Sequence, residues 1–216
     1  MKNKSRLGLF SVPYVIWMAL FVVIPIIIMV IYAFTTEAGG FTFENYADMG
    51  DYASVFLRSF WLAIIATVIC LIIGYPVAYL MAKEGKGFQR VAMALIMLPM
   101  WINFLLRTYA WMSILENNGL LNQLFRAVGL TKLFGVDHFQ MIDTQGAVIL
   151  GMVYNYLPFM ILPIYSVILK LDASLIEAAR DLGANTATVF GRVILPLSLP
   201  GVLSGVTMVF VPAVST

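Results

Sequence analysis

The chain has 216 residues, 62% of them hydrophobic and 11% charged, with a formal net charge of +2 and a mean hydropathy of +0.94. A soluble domain of this length cannot bury so much apolar surface in one aqueous core, so lipid is its solvent. The small net charge and the lack of a basic cluster exclude a nucleic-acid partner.

A membrane-crossing helix needs about 20 predominantly apolar residues, and the charges mark off the candidates. Lys2, Lys4 and Arg6 precede the first, Phe10–Thr35. That uncharged run is far longer than the ~7–15 residues of a secretory signal core, and no small-residue cleavage site stands out. It reads as a retained first helix. The loop after it carries Glu37, Glu44, Asp48 and Asp51 against Arg58, and a second span follows at Ser59–Ala82. Lys83, Lys86 and Arg90 outweigh Glu84 in the next short loop. A third span covers Val91–Leu115 and a fourth Thr144–Leu169. The loop between them balances Arg107, Arg126 and Lys132 against Glu116, Asp137 and Asp143. A polar segment, Lys170–Arg192, leads to a fifth span, Val193–Thr216.

Backbone groups left unpaired in hydrocarbon cost several kcal/mol each, so every span is expected to be helical. Pro25, Pro76, Pro99, Pro158 and Pro163 then become kinks. The expected fold class is an all-α integral membrane protein with one transmembrane domain over residues 1–216. Basic loops mark the cytoplasmic side. The tail Met1–Arg6 and the segment Lys170–Arg192 are therefore expected inside, with Glu37–Asp51 outside. The chain stops at Val211-Pro-Ala-Val-Ser-Thr216, still among apolar residues. That ending leads us to expect a C-terminally truncated chain that lacks a sixth helix.

The polar segment is the most specific part of the sequence. Ser174-Leu-Ile-Glu177 spells a reciprocal capping box. Leu171, Leu175, Ala178 and Leu182 recur at helical spacing as one apolar stripe. Gly183 stands where a left-handed helix terminus is wanted, and a second turn, Thr186–Arg192, is expected before the fifth span. The expected form is helix, glycine bend, helix, with Ala178 and Ala179 offering a face for close approach. A helix lying passively on the bilayer carries bulkier anchors and a lysine-rich polar face. Here Lys170, Arg180 and Arg192 are balanced by Asp172, Glu177 and Asp181.

Catalytic chemistry has no residues to work with. The five spans hold no His, Asp or Glu, so neither an intramembrane enzyme nor a proton-driven carrier finds its relay. Cys70 and His138 are each the only residue of their kind, which leaves no intrachain disulfide and no His/Cys metal site. No G-x-x-x-x-G-K-[ST] phosphate loop is present, so the chain cannot supply a nucleotide site.

Glu177-Ala-Ala-Arg-Asp-Leu-Gly183, closing at Leu195-Pro196, resembles the EAA loop of ABC-importer permeases. Leu98-Pro-Met-Trp-Ile-Asn-Phe-Leu-Leu-Arg-Thr-Tyr109 resembles the third-helix signature of the spermidine/putrescine branch. Ile73–Tyr79, Gly151–Tyr165 and Glu177–Gly201 fit that branch in order and spacing. The resemblance implies a type I importer permease fold of six helices, of which five are present here. It implies Glu177, Ala178, Ala179, Gly183, Leu195 and Pro196 as the joint to an ATPase. The implied function is a non-enzymatic permease subunit of an ATP-driven polyamine importer in the bacterial cytoplasmic membrane. Its implied partners are a second permease, two cytosolic ATPase subunits that hold the ATP and magnesium, and an extracytoplasmic binding protein. The alternatives are the same kind of permease for another small solute and, behind it, an ion-driven carrier. With no acid in the spans, Trp101, Tyr109, Tyr154 and Tyr156 are the candidates for cation–π contacts with cargo. Asn103 and Asn155 are the candidates to offer carbonyl oxygens as acceptors. An interfacial aromatic belt and interhelical amide bonds are the other reading of the same residues.

Overall fold

In the computed structural model the described residues are 12–36, 40–43, 46, 50 and 52–215. The chain divides into two compact units, Met1–Phe56 and Leu57–Thr216. The tail Met1–Arg6 and the loop acids Glu37, Glu44, Asp48 and Asp51 lie outside the described residues, as does Thr216.

The first unit is built on α1, Val12–Ala33, which is long and apolar enough to cross a membrane. Its turn at Ala19–Val23 widens to a π-helix just ahead of Pro25. A proline ring clashes with the carbonyl four residues back, and the wider turn relieves that clash. Beyond the helix, Phe34 stacks on Phe41 at 5.9 Å and meets Phe43 edge-on at 5.8 Å.

The second unit holds the remaining helices: α2 (Ala53–Lys83, which starts just before the unit boundary), α3 (Lys86–Trp101), α4 (Phe104–Leu115), α5 (Leu120–Ala127), α6 (Leu130–Phe134), α7 (Gln145–Ile168), α8 (Ala173–Asp181) and α9 (Thr186–Val214). Among the described residues four helices, α1, α2, α7 and α9, are long and apolar enough to span a bilayer, and α3 with the following Phe104–Ala127 makes a fifth if the bent pair counts as one span. The third span is thus not the single helix expected over Val91–Leu115. It bends by 92° after Trp101. Pro99 weakens the last turn of α3, Ile102 is extended at φ −80°, ψ 138°, and Asn103 restarts the helix by accepting the Leu105 amide at 2.8 Å. An N-cap of this kind satisfies a donor that a continuous helix would have paired internally.

The loop that loop charges left undecided is folded. Asn122 on α5 is fully buried. Its Nδ2 donates to the carbonyls of Glu116 at 3.2 Å and Phe139 at 2.9 Å, and its Oδ1 accepts the Phe139 amide at 2.9 Å. Phe139 also meets Phe125 and Phe134 edge-on. One amide side chain thereby clamps both ends of residues 116–139.

The core lies among α2, α7 and α9, around Cys70, Met160, Ile161, Ile164 and Val209. Small residues set the distance between α9 and α7. A Cβ on Gly201 would come within 3.0 Å of the Pro163 carbonyl oxygen, and one on Gly205 within 2.8 Å of Met160 Sδ. Small residues four apart let membrane helices approach closely enough for dispersion to hold them, because lipid offers no hydrophobic drive between helices. Cys70 packs in this core with Sγ 3.8 Å from the Val153 carbonyl oxygen.

Candidate functional site

The segment Lys170–Arg192 folds as helix, bend, helix. Its N-terminus differs from the capping box expected at Ser174. The cap is Asp172, whose carboxylate accepts the Ser174 amide at 3.0 Å, so the helix starts at Ala173. Asp is as strong a cap as Ser, and the extended backbone of Asp172 (ψ 124°) places its carboxylate over the first turn. Hydrogen bonds from the Ser174 amide and then its hydroxyl hold the Asp172 carboxyl below the usual carboxylate range.

The C-terminus follows the sequence expectation. Gly183 has φ +81°. The Gly183 amide donates to Arg180 at 2.8 Å and the Ala184 amide to Ala179 at 3.0 Å, the two bonds of a Schellman motif. Asn185 then caps the next helix by accepting the Thr188 amide at 2.8 Å. The short turn expected at Thr186–Arg192 is not separate, because helix runs unbroken from Thr186 to Val214. Its turn at Phe190–Ile194 is a π-helix just ahead of Pro196, the same accommodation as in α1.

Glu177, Ala178 and Gly183 are exposed, Ala179 is half-buried, and Leu195 and Pro196 are exposed at the start of the membrane-spanning part of α9. Leu175 is 46% exposed and Leu182 89%. Leu175, Ala178 and Leu182 of the apolar stripe therefore face away from the chain that carries them, while Leu171, ahead of α8, is half-buried. Behind it the structure is anchored. Phe190 meets Tyr75 edge-on at 5.7 Å and Tyr79 at 5.1 Å, which ties the exit of the segment to α2.

The pathway candidates separate into groups. Asn155 and Tyr156 line a cavity of about 280 Å³ between α4 and α7, together with Arg107, Trp111 and Asp143. Oδ1 of Asn155 and Nε and Nη1 of Arg107 are buried with no hydrogen-bond partner among the described residues. Buried polar atoms are nearly always paired, so orphans from two helices mark this cavity as the polar point of the span region. Tyr154 is nearby but turned to other work. It stacks edge-on with Trp111 at 5.4 Å and lies 6.0 Å from the Arg107 guanidinium. The Tyr156 hydroxyl donates to the Pro212 carbonyl at 3.4 Å. Asn103 is occupied as the cap of α4. Trp101, 85% exposed, and Tyr109, also exposed, lie outside this cavity.

Arg107, Trp111 and Asp143 were not among the sequence candidates. Arg107 carried a signal, a charge interrupting the apolar run Val91–Leu115, but read as a boundary it says nothing of a cavity. Asp143 also borders the cavity, and its backbone is left-handed at φ +59°, a local conformation that an Asp tolerates better than most residues.

Residues 74–216 match the family of binding-protein-dependent transport system inner membrane components. The spermidine/putrescine transport system permease protein PotB of Haemophilus influenzae is 42% identical over 205 residues, covering 91% of this chain and 70% of that protein. PotB of Escherichia coli K12 is 38% identical over 205 residues, covering 91% and 73%. Among solved structures, a bacterial ABC transporter that imports the acidic polysaccharide alginate superposes with a TM-score of 0.69 at 19% identity, over 93% of this chain and 70% of that one, which supports the fold alone. These relatives are transport permeases and not enzymes, and the chain belongs to the family of binding-protein-dependent transport system inner membrane components, the multi-pass permease subunits of ABC importers.

Proposed function

We propose that this permease carries polyamines, forming part of their pathway and drawing its energy from a separate cytosolic ATPase that docks on α8. The observation that carries the coupling half is the outward-facing stripe of Leu175, Ala178 and Leu182 on a helix fastened at both ends. A short helix entering a groove on a partner uses a few such anchors for most of its binding energy. The ATPase holds the ATP and magnesium, a second permease completes the pathway, and an extracytoplasmic binding protein delivers cargo. The Lys170–Arg192 segment and the amino-terminal tail face the cytoplasm in this reading, in keeping with the basic loops.

The polyamine cargo is supported by the names of the relatives and is compatible with the α4–α7 cavity. Asn155 Oδ1 is an acceptor without a donor among the described residues, Asp143 supplies negative charge, and Trp111 and Tyr156 supply ring faces. Arg107 in the same cavity repels a polycation. Contacts of this mixed kind are weak, which suits a permease that must release its cargo and leaves tight selection to the binding protein.

Reconstitution of the complete importer in proteoliposomes tests this reading. Saturable, ATP-dependent uptake of labelled spermidine or putrescine is expected. Import of a different small solute with no polyamine uptake would assign the cargo to the alternative.

A further inference from the structure

Helix α3 has one face that neither the coupling segment nor the α4–α7 cavity uses. Lys86 and Arg90 stand one turn apart at its start, and Ala94, Met97, Leu98 and Trp101 continue the same face upward. Two adjoining cavities run along it. One, of about 460 Å³, is bordered by Lys86, Arg90, Met93 and, from α7, Tyr165 and Leu169. The next, of about 480 Å³, begins at the same Arg90 and Met93 and continues between Met97, Leu98 and Trp101.

The charge on this groove has one sign. No acidic residue lines either cavity. Lys83, the other cation at this end, lies 4.1 Å over the Tyr79 ring, and the Gln89 amide donates to the Glu84 carbonyl at 2.8 Å. Lys86 and Arg90 have no ion-pair partner among the described residues. The length also has a natural measure. At about 1.5 Å per residue, Trp101 stands about 16 Å beyond Arg90, close to the ~15 Å that one leaflet contributes to the hydrocarbon core. Past Trp101 the chain turns away by 92°, which ends the groove.

We propose that this groove is a binding site for an anionic phospholipid. Lys86 and Arg90 hold the headgroup phosphate at the membrane surface, and one acyl chain lies along Met93, Met97 and Leu98 as far as Trp101. Basic pockets between membrane helices at the aqueous boundary select anionic headgroups. Long cationic side chains reach the boundary while their stems stay in apolar surroundings. Free phosphate does not fit the pattern, because more than half of the groove is apolar.

The test places the complete importer in nanodiscs of equal phosphatidylglycerol and phosphatidylcholine, releases it in mild detergent and identifies the retained lipid by native mass spectrometry. About tenfold enrichment of phosphatidylglycerol is expected for the unaltered chain. Lys86→Gln with Arg90→Gln brings the ratio to about one, Arg90→Lys keeps most of it, and Met97→Trp lowers retention of both lipids. The unaltered importer and Arg90→Lys keep the test decisive even where the double variant does not assemble. Three results would each overturn the proposal. These are no preference in the unaltered importer, unchanged enrichment in the assembled double variant, and efficient cross-linking of Met97→Cys to the second permease, which would give the groove to a protein.

Discussion

The hydroxyl of Tyr75 on α2 lies 2.7 Å from that of Ser198 on α9, both buried, across 123 positions of sequence. Ser198 also donates to the Leu195 carbonyl at 2.9 Å, and the Tyr75 ring leans on Phe190. The coupling segment and the start of the span that follows it are thus joined to α2 by two aromatic contacts, from Phe190 to Tyr75 and Tyr79, and by one hydrogen bond. Tyr75→Phe keeps the ring and removes the hydroxyl, at a cost of about 1 kcal/mol in stability. Thermal unfolding in detergent measures that loss. Uptake per ATP hydrolysed is expected to fall more than the stability change alone accounts for. A variant that loses stability with its coupling ratio unchanged would remove Tyr75 from the transmission path.

Close packing of α9 on α7 depends on glycine. Gly205→Leu forces side-chain atoms into the space of Met160, and overpacking of this kind costs about 1–3 kcal/mol. The expected result is a lowered midpoint of thermal unfolding and a reduced yield of folded protein. An unchanged midpoint would mean that the two helices separate without penalty.

Asn122 offers a prediction away from both sites. Asn122→Ala leaves the half-buried Phe139 amide and carbonyl short of a partner and leaves the Glu116 carbonyl with the Gly119 amide alone, at about 1–3 kcal/mol for an unsatisfied group. Limited proteolysis is expected to cut residues 116–139 sooner, with the helices on either side intact. Equal cutting rates for variant and parent would contradict the clamp.

Much of this was legible beforehand, and the reasons are specific. Length and apolarity locate spans because lipid admits no other backbone solution, and Gly183 announced its conformation because only glycine adopts positive φ without strain. The 92° bend was hidden. Pro99 signalled a kink, as did four other prolines that stay within continuous or gently widened helices, and Asn103 looked like a pathway amide when its oxygen caps α4. Ser174 and Asp172 are both good caps, and local composition did not choose between them. The cavity at Arg107 and Asn155 depends on which faces of α4 and α7 meet, and hydropathy carries no such information.

Asp172 makes the start of α8 sensitive to pH. Its carboxyl is held low in the folded chain by the Ser174 amide and hydroxyl, so its cap is at full strength above the ordinary carboxylate range. It is lost as pH falls through the lowered folded value. Asp172→Asn keeps a competent cap and removes the titration. The protection of the Ser174 amide from exchange, taken relative to the intrinsic rate at each pH, is expected to fall with acid in the parent and to lack that acid-dependent fall in the Asn variant. The same acid response in both would assign it to another group.

Gly183→Val tests the coupling claim most directly. Valine strongly resists φ +81°, so the bend between α8 and α9 is disfavoured while the spans are untouched. The measurement is co-purification of the ATPase with membrane-inserted permease, paired with polyamine uptake by the same cells. The expected result is normal insertion with both the ATPase and uptake lost. Inserted Gly183→Val protein that retains its ATPase and transports at the parental rate would contradict the role given to this segment.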